Sequence, residues 1–249
     1  MINARISLHA ARNPEIMELA RAPGEGNAAW IIRALGQMNS EARILLVGGT
    51  TVADFRLRVA QSHLRHDLKP SFWSHAALVL PGPSQPRLWQ VDLEVGMPIS
   101  EVPGNNGISE IGLGHFDSAR FANLAVLRFP GASALAVQEG IDALRGARLS
   151  EDLLSPLIQW LAHVWGTDGA KNPLLAGIPL PAAHFVDAAF AYAGVDIVPG
   201  VSSRAACPEA VWQAALWWSG YYAGDQEGQA GAVPSGVYLV EQGSAHVVD

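Results

Sequence analysis

The stretch Lys69–Leu80, KPSFWSHAALVL, sets one histidine, His75, at the head of an apolar run. A second run, Arg87–Val95, RLWQVDLEV, carries Asp92 and Glu94. Between them lies PGPSQP (Pro81–Pro86), a turn-forming linker. If the two runs form a hairpin symmetric about that linker, His75 lies opposite Asp92, and Glu94 points to the same face as a second partner. A carboxylate there accepts one imidazole N–H, fixes the tautomer and leaves the other ring nitrogen as a base. The only thiol is Cys207, followed by Pro208 at a predicted helix start, where aligned backbone N–H groups favour a thiolate. Paired with His75 it makes a Cys-His-carboxylate site for nucleophilic catalysis. The competing readings are a half-buried histidine satisfied by a neighbouring strand and a small structural cysteine.

Other chemistries find less support. VGGTT (Val47–Thr51) follows an apolar run but lacks the G-x-G-x-x-G pattern and the lysine of a phosphate loop. No G-x-S-x-G elbow occurs. His63 and His66 with Asp67 sit on one polar helix face with no ligand from elsewhere, which reads as solvated surface and gives no metal site. No cofactor is called for.

The 249 residues fit one large domain, with residues 1–40 as a candidate N-terminal extension. Hydrophobic residues are 49% and charged residues 16%, enough apolar material for a sizeable core. A formal net charge of -7 and no basic run exclude sequence-independent nucleic-acid binding. One cysteine allows no intrachain disulfide and suits a reducing, cytoplasmic setting. The first residues lack the apolar core of a signal peptide, and no stretch nears the roughly 18 apolar residues of a membrane span.

The elements that must position these groups follow from periodicity and punctuation. Ala42–Thr50 reads as a buried strand ending in a Gly-Gly turn. Val52 to about Leu68 reads as a helix, with Asp54 in its first turn, Leu57, Ala60, Leu64 and Leu68 inward, and Arg58, Ser62, Arg65 and His66 outward. The His75 hairpin follows, then a loop-like stretch at Glu101–Phe116 and a strand at Ala122–Pro130. Helices are expected at Ala29–Met38, Ala132–Leu149, Ser155–Gly166, Pro181–Gly194 and Cys207–Tyr222, and a last strand near Ser235–Gly243. Trp217, Trp218, Tyr221 and Tyr222 form an aromatic stripe, and dimerisation through it is one way to bury it. The pattern is α+β: a small antiparallel sheet flanked by helices.

The order of these pieces resembles the circularly permuted NlpC-type papain-like hydrolases. The likeness runs from about Ile44 to Trp212. It rests on the strand–turn–helix ILLVGGTTVADFRLRVA, the Ser-His strand WSHAALVL, the acidic strand segment VDLEVG, the helix AAHFVDAAFAYAG and the later CPEA. The resemblance implies His75 as general base, Asp92 or Glu94 as its orienting partner, and a cleft lined by Ala182 and Trp73. It also implies a nucleophilic cysteine at the start of the late helix, where this chain has Ala182. Two functions are therefore expected. One is a thiol hydrolase or acyltransferase acting on an amide or ester of a peptide, acyl or cell-wall-like compound. The other is a catalytically inactive binding or scaffold protein that keeps the cleft.

Overall fold

A computed structural model describes residues 15–38, 41–92, 107–146, 154–167, 169–222 and 233–241. Seven strands form one mixed sheet: β1 (Ile16–Glu18), β2 (Arg43–Gly49), β3 (His75–Leu80), β4 (Arg87–Val91), β5 (Ile108–Ile111), β6 (Phe121–Arg128) and β7 (Ser235–Leu239), in the order β1-β7-β6-β2-β3-β4-β5. All neighbouring pairs are antiparallel except β1 with β7. The α-helices among the described residues are α1 (Asn27–Gly36), α2 (Val52–Ala60), α3 (Ala134–Gly146), α4 (Leu154–Trp165), α5 (Pro181–Tyr192) and α6 (Pro208–Tyr222). The α+β class stands, but the sheet is larger than expected and includes one parallel pair.

The central strands are buried on both faces. Ile44 and Leu46 of β2, with Ala125 and Leu127 of β6, join the core under α2 to α6. Leu45, Val47, Leu124 and Val126 point the other way, into a second core closed by Trp30, Ile31, Ala34 and Leu35 of α1. Period-two alternation thus feeds two apolar layers, which explains why these strands read as continuous hydrophobic runs. Ile16 and Trp30 are fully buried, so residues 16–36 belong to the same fold and are not an extension to it.

Two local expectations are corrected. The helix after Val52 stops at Ala60, and a 3-10 turn at Ser62–Leu64 follows. That change of path swings Leu68 outward, 70% exposed at φ 54, and leaves Arg65 buried, while Arg58, inside the helix, is buried against the Ser71 segment. Arg58 Nε donates to the Ser71 carbonyl at 2.6 Å, and Arg65 pairs with Asp67 and lies over the Phe72 ring. The supposed loop at Glu101–Phe116 contains β5, the short strand beyond β4. On α6, Trp217 and Tyr221 stack at 5.1 Å and are both about half exposed; the Tyr222 side chain lies outside the described residues. No helix among the described residues is long and apolar enough to cross a membrane.

Candidate functional site

A cleft of about 290 Å³ opens where β2 ends and β3, α2 and α5 begin. His75 is the first residue of β3 and lines it, with Gln90, Asp92, His115 and Ala182. β3 and β4 pair antiparallel from Leu80 opposite Arg87 to Leu78 opposite Trp89, a register centred on the Pro81–Pro86 linker, and the pairing ends before His75 and Asp92. The direct hydrogen bond, however, goes to Gln90: His75 Nε2 and Gln90 Oε1 are 2.8 Å apart. An amide oxygen can only accept, so Nε2 carries the proton and Nδ1 keeps the lone pair of the neutral ring. Asp92 acts at longer range, its charge favouring the imidazolium, and its Oδ2 lies 4.0 Å from His115 Nε2. Burial dominates the balance and holds the His75 pKa below its ordinary value, against the pull of Asp92 and the Gln90 bond. His75 is therefore a neutral base at pH 7.

The Gly-Gly turn and Ser74 set where His75 stands. Gly48 packs against the Phe72 carbonyl and Gly49 against the Asp54 carboxyl, each too closely for a Cβ. The turn admits Asp54, which closes a capping box with Thr51 at the start of α2. Ser74 Oγ donates to Asp54 Oδ1 and accepts the Gly49 N–H, both at 3.0 Å. Arg120 Nε completes the cluster at 3.0 Å from Asp54 Oδ2 and lies over the Phe121 ring. Burial raises the Asp54 pKa, but its hydrogen bonds to Arg120, Thr51 and Ser74 outweigh that and leave it lowered. The residue before His75 is thus pinned to a buried anion, which fixes the first turn of β3.

Apolar groups make the walls. Leu57, Phe116, Phe121, Leu180 and Trp165 line the cleft, and Trp165 is 55% exposed at its rim. Ala182 is the second residue of α5, after Pro181, and no side chain caps that helix. The position at which the resemblance implies a nucleophile and the histidine it implies as base thus face one cleft. A methyl group stands where a thiol would be needed.

Cys207 does not replace that thiol. It is fully buried in the core beneath the sheet and lines no part of the cleft. Burial pushes its pKa up to about 12, overriding the helix N–H groups of Ala210 and Glu209 that hydrogen-bond to the sulfur. It serves as a structural group at the start of α6. Trp73 is also corrected: it is fully buried against Trp212, ring centroids 5.1 Å apart, and packs the core instead of touching a ligand. Glu94 lies outside the described residues.

Behind Cys207 a buried polar network ties α6 to the segment before β3. Glu209 Oε2 accepts from Ser71 Oγ at 2.6 Å, and Oε1 accepts from Gln213 Nε2 at 2.6 Å. Arg65 stands 3.7 Å away, and Gln61 Oε1 accepts the Glu209 backbone N–H at 2.8 Å. Burial holds the Glu209 pKa above its ordinary value.

Sequence reasoning missed Gln90, His115 and Arg120. Gln90 had a signal: it shares a strand face with Asp92. His115 and Arg120 come from the segment between β5 and β6, where periodicity says nothing. Among the described residues, no cluster of His, Cys, Asp and Glu could hold a metal ion. No family model matches the chain, and no curated protein and no solved structure matches it.

Proposed function

We propose that the cleft is a papain-like binding site for an acyl or amide compound, in which no covalent intermediate forms on this chain. Its single strongest support is Ala182. A thiol mechanism needs a sulfur beside the base, and the one sulfur of a cysteine in this chain is sealed in the core. His75, its Gln90 partner and the apolar walls supply a small polar floor with hydrophobic sides, the usual composition of a small-molecule site. The ligand class is a peptide, acyl or cell-wall-like fragment that presents a carbonyl to the floor.

The test is to restore the missing atom. Ala182→Cys should create a thiol that iodoacetamide labels quickly, with an apparent pKa well below the ~8.5 of a free cysteine. Adding His75→Ala should slow that labelling by at least about tenfold, a floor set below the ~10²–10⁴-fold that a positioned base contributes. A new thiol that titrates like free cysteine and ignores His75 sinks the papain-like reading.

A further inference from the structure

A base can act on a nucleophile that is not part of the protein. In this cleft His75 presents such a base. Its Nε2–H is committed to Gln90 Oε1, and no hydrogen bond engages Nδ1 among the described residues. Gln90 orients the ring from β4, the Asp92 charge acts on it from the segment just after, and Phe116 packs beside it with ring centroids 6.2 Å apart. A ring held this firmly, in a cleft whose nucleophile position offers only a methyl group, has the geometry for a reaction between two small molecules.

We propose that the cleft hydrolyses activated acyl compounds by direct attack of water, with His75 as the general base. This rests on the papain-like reading of the cleft and goes beyond it. In the step, His75 Nδ1 takes a proton from water as the water oxygen bonds to the acyl carbon. The bond from that carbon to the leaving oxygen or sulfur then breaks, and the imidazolium returns the proton to the leaving group. The products are a carboxylic acid and an alcohol or thiol, so protons and electrons balance with no further reactant. The acyl group is small and apolar, to suit about 290 Å³ walled by Leu57, Phe116, Phe121 and Trp165. Three titratable groups act on His75: Asp92 from the segment after β4, His115 from the segment after β5, and Asp54 from α2. Asp92 and Asp54 favour the imidazolium and His115 opposes it, while burial keeps the ring neutral at pH 7.

The probe is p-nitrophenyl hexanoate with the full chain. Wild type should release p-nitrophenol in a single phase, at least tenfold faster than His75→Ala and His75→Gln, the second variant guarding against a loss of fold. No acyl adduct should appear by mass spectrometry, and the rate should fall at acid pH with an apparent pKa below 6.5. Gln90→Leu, a change in a positioning residue, should move that pKa as well as the rate. Wild type no faster than both His75 variants, or an adduct on wild type, overturns the inference. If Ala182→Cys then shows a burst and an adduct, the proposed binding function survives alone. If that variant shows neither and its new thiol titrates as a free one, the binding function falls too.

Discussion

Gln90, on the neighbouring strand β4, holds the His75 imidazole through a 2.8 Å bond, while Asp92, two residues further along, acts on it through its charge. The division has a measurable consequence. Gln90→Glu puts a carboxylate where the amide oxygen stands and should raise the His75 pKa. Gln90→Leu removes the acceptor and should lower it. Titration of the His75 ring proton by NMR reads both shifts; equal pKa values in the two variants would show that the bond does not form in solution.

The pH dependence of stability follows from the same residue. The His75 pKa is lowered in the folded chain, so the unfolded chain binds the proton more readily. Stability is therefore retained above the unfolded value of about 6.5 and declines as pH falls through it. Urea midpoints at pH 7.5 and 5.5 should differ more for wild type than for His75→Gln, which has no proton to take up.

Cys207 should resist iodoacetamide in the native chain at pH 8, because a thiol with a pKa of about 12 is almost wholly protonated there and buried besides. His75→Ala should leave that resistance unchanged. Labelling should begin only where denaturant opens the core, so its rate against urea follows global unfolding. Rapid labelling without denaturant would contradict the burial described above.

Removing Glu209 should cost far more than its distance from the cleft suggests. Glu209→Ala leaves Ser71 and Gln213 without their acceptor and Arg65 with Asp67 as its one remaining carboxylate partner, a loss on the order of 3 kcal/mol. Glu209→Gln keeps an acceptor and sheds the charge that burial penalises, so it should lose less than half as much. Equilibrium urea unfolding compares the two.

Gly48→Ala tests the turn that aims His75. The added Cβ meets the Phe72 carbonyl, which is backbone and cannot swing aside. The expected loss is about 1–3 kcal/mol, accompanied by a change in the His75 ring signal, since Phe72 is three residues from it. A variant as stable as wild type with an unmoved His75 resonance would show that the turn does not set the site.

The long elements were legible in the sequence because apolar runs and helix punctuation mark them there. β2, β3 and β6 each hold a run of apolar residues, and α5 and α6 are marked by Pro181 and Pro208 at their starts. β1 and β5 span only three and four residues, too short for alternation to declare itself. The choice of Gln90 over Asp92 was hidden for a different reason. Alternation assigns a face, but reach decides the partner, and a long amide chain can span a diagonal between strands. The inertness of Cys207 depends on what α6 packs against, and local sequence carries no record of that. The same holds for Arg65, whose burial follows from where a helix stops, and for Arg58, which is buried by the Ser71 segment folding back on it.

The pairing of β1 with β7 joins Ile16 to Gly236 and Glu18 to Tyr238. During synthesis, Ile16 leaves the ribosome more than two hundred residues before its partner exists. Until Ser235–Leu239 emerges, β6 has an open edge and the first strand has nowhere to dock. The nascent chain therefore presents the unpaired edge of β6 while the roughly hundred residues between β6 and β7 are made, at about 5–20 residues per second. For that interval of roughly 5–20 seconds, the growing polypeptide is a client for whatever shields exposed strands, and a ribosome stalled before residue 235 would release a chain with a sticky edge.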